Sequence, residues 1–206
     1  MRREQGHPVV AHTLDFAMRG MLPVRKRMVP WAQGKVLEVG CGTGANFPYY
    51  QGVKSVTAIE PDPHMRKKAH RVAADLQTPI DIQDHSALSL PFEGGSFDTV
   101  VATFVLCTIP DPERAAQEMF RLLKPEGLLI FAEHVHSNAR WTHAVQQRLT
   151  PVWSRMAGGC RLDNDAVAQL DGAGFALEIQ SPERGPFSMM PIVYGFGRKG
   201  VMHTMR

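Results

Sequence analysis

The sequence predicts an α/β domain built on a doubly wound, mainly parallel sheet of seven strands. Three observations predict it. Short apolar runs rich in Val and Ile recur along the 206 residues and alternate with helical stretches. That alternation indicates a mainly parallel sheet covered on both faces. The first run passes directly into the glycine-rich turn Gly40-Cys41-Gly42-Thr43-Gly44.

The strands are expected at Lys35–Val39, Ser55–Ile59, Ile80–Gln83, Phe97–Thr103, 128–133, 177–180 and 192–197, with the last two closing the sheet as a C-terminal pair. Helices fall between them. One covers 63–76 and carries Pro63 near its first turn, where proline is favoured. A second covers 112–123. It places Glu113, Arg114, Glu118 and Arg121 on one face and Ala115, Ala116, Met119, Leu122 and Leu123 on the other. It stops before Pro125 and Gly127, a C-terminal signal. A third covers 164–172 and ends at Gly172-Ala173-Gly174-Phe175. Residues 135–162 break the alternation. They hold His136, Trp141, His143, Trp153, Met156 and Cys160 and follow the fifth strand, at the carboxyl end of the sheet, where ligands bind in such folds. A helical substrate cap is expected there within one domain spanning 1–206.

Residues 1–30 carry apolar side chains between the basic clusters Arg2-Arg3 and Arg25-Lys26-Arg27, a pattern that suits an amphipathic lid helix. No apolar run approaches the roughly 20 residues that span a bilayer. Asp15 and Arg19 interrupt any signal-peptide core. A soluble, cytoplasmic protein is therefore expected, with peripheral membrane contact left open. The formal net charge of +3 does not demand a nucleic-acid partner. Cys41, Cys107 and Cys160 are odd in number and far apart, which suits reduced free thiols. His134 and His136 stand two apart with no further ligand at a usual spacing, so no metal site is expected. Nothing in the chain specifies an oligomeric state.

The chemistry resides in the stretch from Val36 to Gly44. Glycine lets the backbone turn tightly and approach a ligand without a Cβ clash. Glu38 ends the strand before the turn and suits a cationic amino group. Glu60 ends the second strand about twenty residues past the glycines, where a carboxylate accepts from both hydroxyls of a ribose. Gly40, Gly42 and Ala45 equally fit the G-x-G-x-x-A dinucleotide variant, and a tight turn in another α/β protein also accounts for the glycines. Ser96-Phe97-Asp98 at the fourth strand and Leu122-Leu123-Lys124-Pro125-Glu126-Gly127 before the fifth complete an ordered set.

That set, over residues 36–133, resembles the class I S-adenosylmethionine-dependent methyltransferases of the methyltransferase type 11 group, which have a Rossmann-like fold. The resemblance implies S-adenosyl-L-methionine as cofactor. By position, Glu38, Gly40, Gly42, Thr43 and Gly44 would hold its methionine part and Glu60 its ribose. Pro61 and Met65 would lie at the adenine, with Ser86 and Ala87 from the third motif and Thr103 after the fourth strand. Ser86-Ala87-Leu88-Ser89-Leu90-Pro91-Phe92 departs from the family pattern, because Ser86 stands where a carboxylate commonly takes the adenine amino group.

A further likeness reaches most of the chain after Val36. Phe104-Val105-Leu106-Cys107, Glu133-His134-Val135, Trp141, Pro151-Val152-Trp153, Gly159-Cys160 and Tyr194-Gly195-Phe196 are similar to the alkyl-thiol S-methyltransferases. The likeness implies a small, fairly apolar thiol as methyl acceptor, with no nucleic acid involved. Those relatives carry an N-terminal membrane anchor that is not seen here. Methyl transfer from a sulfonium is an in-line displacement, which rests mainly on positioning. A thiol acceptor already ionises in part near neutrality. His134 and Cys107 are the candidate catalytic residues, and Trp141, Trp153 and Phe187 candidate pocket walls. Transfer to oxygen, nitrogen or carbon of a quinone, phenol or lipid head group stays open. So does a cofactor-binding module without catalysis.

Overall fold

The structure, a computed structural model, describes residues 22–137, 139–180 and 191–199. The first 21 residues of the expected lid, with Phe187 and Ser188-Met189-Met190, lie outside the described residues. The strands are β1 (Lys35–Val39), β2 (Ser55–Ile59), β3 (Ile80–Gln83), β4 (Phe97–Thr103), β5 (Leu123–His134), β6 (Phe175–Ile179) and β7 (Ile192–Lys199). The helices are α1 (Leu22–Met28), α2 (Pro63–Ala74), α3 (Pro112–Leu122), α4 (Arg140–Met156) and α5 (Ala166–Gly172). The seven strands form one sheet in the order β3-β2-β1-β4-β5-β7-β6. The first five pair in parallel, and β7 runs antiparallel between β5 and β6.

Successive side chains of a strand point to opposite faces, and both faces of this sheet are covered. Leu37 and Val39 of β1 pack with Phe131, Met119 and Leu122 on the side of α3 and α5. Val36 packs with Val56, Ile130, Phe47 and Ala69 on the other. Three aspartates start the helices by accepting from the first-turn amides: Asp62 for α2, Asp111 for α3 and Asp165 for α5. These caps satisfy donors that no helical carbonyl can reach.

The start of the fifth strand differs from the sequence expectation. β5 begins five residues early, because Leu123 pairs with Phe97 before the ladder shifts and resumes at Leu128 opposite Thr99. Pro125 has no N–H to give to a ladder, and Glu126 turns through a positive φ of 47°, so the chain bulges between the two pairings. The break in alternation at 135–162 is the seventeen-residue α4.

Strand order reverses between β1 and its neighbours β2 and β4, which opens a crevice at their carboxyl ends. Asp98 fixes the opposite end. Its carboxylate accepts from the Lys35 amide (2.7 Å) and the Lys124 ammonium (2.5 Å), tying the starts of β1, β4 and β5. The Lys124 contact, then the Lys35 amide, holds the Asp98 carboxyl below its ordinary value. Asp98→Ala is expected to lower stability by about 1–2 kcal/mol. The melting temperature should fall by about 2–8 °C with no change in ligand affinity at the far end of the sheet.

Candidate functional site

The glycine turn leaves β1 at Gly40. Gly40 and Gly42 adopt φ of 66° and 56°, a region that other L-residues enter at a cost. A Cβ on Gly40 would overlap the Val105 side chain, whereas one on Gly42 would meet only the Met65 sulfur at 3.8 Å. Gly42 is the open position of the loop. Glu60, buried at the end of β2, reaches back to it. Its Oε2 accepts from the Gly42 amide and its Oε1 from the Asp62 amide, each at 2.9 Å. Burial, partly offset by these two amides, raises the Glu60 carboxyl above its ordinary value. Arg66 of α2 donates to the Glu60 and Pro61 carbonyls and pairs with Asp84 at 3.0 Å.

Behind the loop lies a buried polar cluster. The Glu38 carboxylate accepts from Asn46 Nδ2 at 2.9 Å and from Tyr50 Oη at 2.7 Å. Asn46 also donates to Thr103 Oγ1, and Arg25 of α1 donates to Asn46 Oδ1 (2.7 Å) and Thr103 Oγ1 (2.8 Å). All five side chains are buried. Burial pushes the Glu38 carboxyl up to about 7, against the pull of Tyr50, Arg25 and Asn46. The Glu38 carboxylate and the Thr103 hydroxyl thus accept from this chain's own side chains. The sequence expectation assigned both residues to the cofactor.

A cavity of about 120 Å³ sits at the carboxyl ends of β1 and β2. Gly40, Glu60, Pro61, Ser86 and Ala87 line it together with Val105. Five of the expected cofactor residues therefore converge from three separate segments. Met65 stands beside Gly42, and Gly44 packs against Phe47 behind the loop. Thr43 sits half-buried in the turn. Ser86 Oγ accepts from the Leu88 amide at 3.3 Å. A larger opening of about 1020 Å³, lined by residues such as Trp31, Asp98, Lys124 and Phe196, lies at the amino ends of β4 and β5. Ligands of open α/β sheets bind at the carboxyl ends, so the smaller cavity is the candidate site.

The loop after β4 forms the other wall. Phe104 has a positive φ of 57°, a strained state for a bulky residue that tends to occur at functional sites. Its amide donates to the Ala132 carbonyl, its ring lies 5.1 Å from that of His134, and Arg25 lies over its other side at 5.2 Å. Glu133 Oε1 accepts from the Val105 (2.8 Å) and Leu106 (3.0 Å) amides and fixes the loop, while its buried Oε2 meets no partner. Burial pushes the Glu133 carboxyl up to about 7. Cys107, His134 and Cys160 converge here, with ligating atoms all within 4.8 Å of one another. Cys107, then His134 and Trp153, hold the Cys160 thiol below its ordinary value, and the Cys107 thiol is driven up.

The structure thus brings the two catalytic candidates, Cys107 and His134, into one cluster. Sequence reading did not place Arg25, Asn46, Tyr50 or Cys160 at the site. Arg25 stood out only as part of the basic cluster Arg25-Lys26-Arg27, which gives no reason for one of its members to be buried. Cys160 was marked as part of the expected cap, but nothing joined it to Cys107, fifty-three residues away in the chain. Of the expected pocket walls, Trp141 is 60% exposed and Trp153 37% exposed, so neither is ordinary core.

A family profile described as "Methyltransferase domain" matches residues 37–131. The human thiol S-methyltransferase TMT1A is 35% identical over 178 residues, covering 82% of this chain and 72% of that one. The human thiol S-methyltransferase TMT1B is 37% identical over 164 residues, covering 75% and 66%. The chain thus spans about two thirds of the length of these relatives, slightly less for TMT1B. A Thermotoga maritima S-adenosylmethionine-dependent methyltransferase of known structure superposes with a TM-score of 0.64 at 20% identity, covering 94% of this chain and 99% of that one. It has the same fold.

Proposed function

Because the chain belongs to the S-adenosylmethionine-dependent methyltransferase family, we propose that it transfers the cofactor's methyl group to the sulfur of a small, apolar thiol. The observation that carries this reading is the 35% identity to TMT1A across 82% of the chain. The match extends beyond the shared methyltransferase domain, 37–131, into parts of the chain that build the acceptor side.

The residues of the site fit S-adenosyl-L-methionine. A Cβ on Gly40 would overlap Val105, which lines the cavity, so this wall keeps its shape only while that position is glycine. Glu60 offers a buried carboxylate beside Pro61, Ser86 and Ala87 in one cavity, the acceptor that the hydroxyls of a ribose require. Once bound, the cofactor supplies an activated methyl on a sulfonium. The chain's own part is to hold the acceptor in line and exclude water. Glu60 binds, Glu38 and Arg25 hold the loop from behind, and Cys107 and His134 face the acceptor. Residues 135–162, with α4, cap the acceptor side. Gln146 of α4 is fully buried and accepts from the Ser137 amide, and Thr150 donates to Asp163, so polar contacts pin the helix. Among the described residues no helix is long and apolar enough to cross a membrane.

The test is release of demethylated cofactor with panels of aliphatic thiols, phenols, amines and quinols, beside calorimetric cofactor binding. Turnover with thiols is expected to exceed the other panels by at least about tenfold in kcat/KM. Cofactor binding with turnover only on oxygen, nitrogen or carbon would replace the thiol reading. Binding with no turnover on any panel would mark a non-catalytic module.

A further inference from the structure

We propose that Cys107, His134 and Cys160 form a three-ligand site for one zinc-class divalent ion. The three residues come from separate elements: the loop after β4, the end of β5, and the turn after α4. Their ligating atoms lie within 4.8 Å of one another. Tetrahedral bonds of about 2.3 Å to sulfur and about 2.0 Å to imidazole nitrogen place sulfurs about 3.8 Å apart and sulfur from nitrogen about 3.6 Å apart. The cluster therefore needs to contract by roughly 1 Å at most, within the reach of side-chain rotation.

Three further observations favour an ion over three unrelated core side chains. Among the described residues His134 Nδ1 is buried and meets no hydrogen-bond partner, which is costly for a polar atom unless something binds it. The ligand-bearing segments are joined through the backbone: the Arg161 amide donates to the Cys107 carbonyl at 2.8 Å. Asn164 Nδ2 donates to the His134 carbonyl at 3.4 Å, drawing the third segment in. Two thiolates and an imidazole suit zinc among the common divalent ions. Sequence spacing gave no hint of this, because the ligands are 27 and 26 residues apart and match no short ligand motif.

Three protein ligands leave a fourth position open, the mark of catalytic zinc sites. Resting on the thiol reading above, that position takes the acceptor thiolate. Val105 and Thr108, on either side of Cys107, both line the cofactor cavity. The acceptor's S–H proton leaves to solvent as its sulfur bonds the ion. The methyl then passes from the sulfonium sulfur to that sulfur. The neutral thioether, a weaker donor, leaves the ion, and the ion's charge and oxidation state are unchanged.

The experiment uses the full chain, reduced and metal-free. Zinc uptake is measured by a chromogenic chelator competition, and cobalt is substituted for spectroscopy. One equivalent should bind, with a sulfur-to-cobalt charge-transfer band that disappears in Cys107→Ser and Cys160→Ser. Circular dichroism and cofactor affinity, checked in each variant, confirm folding. An aliphatic thiol added without cofactor should shift that band. No uptake by the folded protein overturns the site, including the case in which thiol counting shows a Cys107–Cys160 disulfide instead. Uptake with an unshifted band while thiol turnover proceeds overturns the acceptor position alone. Uptake with no thiol turnover leaves the ion site standing and removes the thiol reading.

Discussion

Glu38→Ala is expected to lower stability by about 3–5 kcal/mol and to weaken cofactor binding at least about tenfold, although Glu38 does not line the candidate cavity. The alanine leaves the buried Tyr50 hydroxyl without its acceptor and Asn46 with only Thr103 to receive its Nδ2. A buried donor left unpaired costs about 1–3 kcal/mol. Arg25 also loses its principal opposing charge, and a buried cation without one is costly. These groups hold the loop on which Gly40 and Gly42 sit, so the binding defect follows from the folding defect. Thermal unfolding and calorimetry of the same sample separate the two. Unchanged stability would mean that the cluster does not hold the loop.

Glu38→Gln tests the charge alone. Burial pushes the folded Glu38 carboxyl up to about 7 from its ordinary value of 4.5. The folded state therefore holds the proton more tightly, and this contribution to stability is fully present below about pH 4.5 and lost as pH rises through about 7. The melting temperature of the unsubstituted protein should fall between about pH 4.5 and 7, and Glu38→Gln should flatten part of that slope. Glu60 and Glu133 shift in the same direction and supply the remainder. A slope unchanged in Glu38→Gln would show that Glu38 is ionised throughout.

The strands and the order of the motifs were legible because they depend on local signals. Val-rich runs, prolines at helix starts and glycines after β1 each act within a few residues. The site was legible only in part, and the difference is physical. Gly40, Glu60, Pro61, Ser86 and Ala87 meet at one cavity because their positions follow from strand ends, which the sequence marks. Glu38 is also at a strand end, yet nothing local tells that Tyr50 and Asn46 will reach its oxygens first. Arg25, Cys160 and the bulge at Pro125 depend on which segments meet across the sheet, and one sequence does not carry that register. The thiol cluster is the extreme case, since each of its members reads alone as an ordinary buried side chain.

Gly40→Ala is expected to be more damaging than Gly42→Ala in the same glycine loop. Two costs add. The residue must hold φ near 66°, which costs an L-residue about 1–2 kcal/mol. The new Cβ also overlaps the Val105 side chain and lies 2.9 Å from Val105 Cβ. Val105 cannot easily retreat: its amide is held by Glu133 and its carbonyl by both the amide and the hydroxyl of Thr108. Overpacking of this kind costs about 1–3 kcal/mol. The melting temperature should fall by roughly 4–20 °C. Gly42→Ala has a similar φ but open space beside it, so only the first cost applies and the fall should be about 2–8 °C. Adding Val105→Ala removes the overlapping methyls and leaves the Cβ contact. The double variant should therefore recover about 1–2 kcal/mol relative to the sum of the single changes. Strict additivity would show that Val105 is not what makes Gly40 obligatory, and that the loop is constrained by the backbone conformation alone.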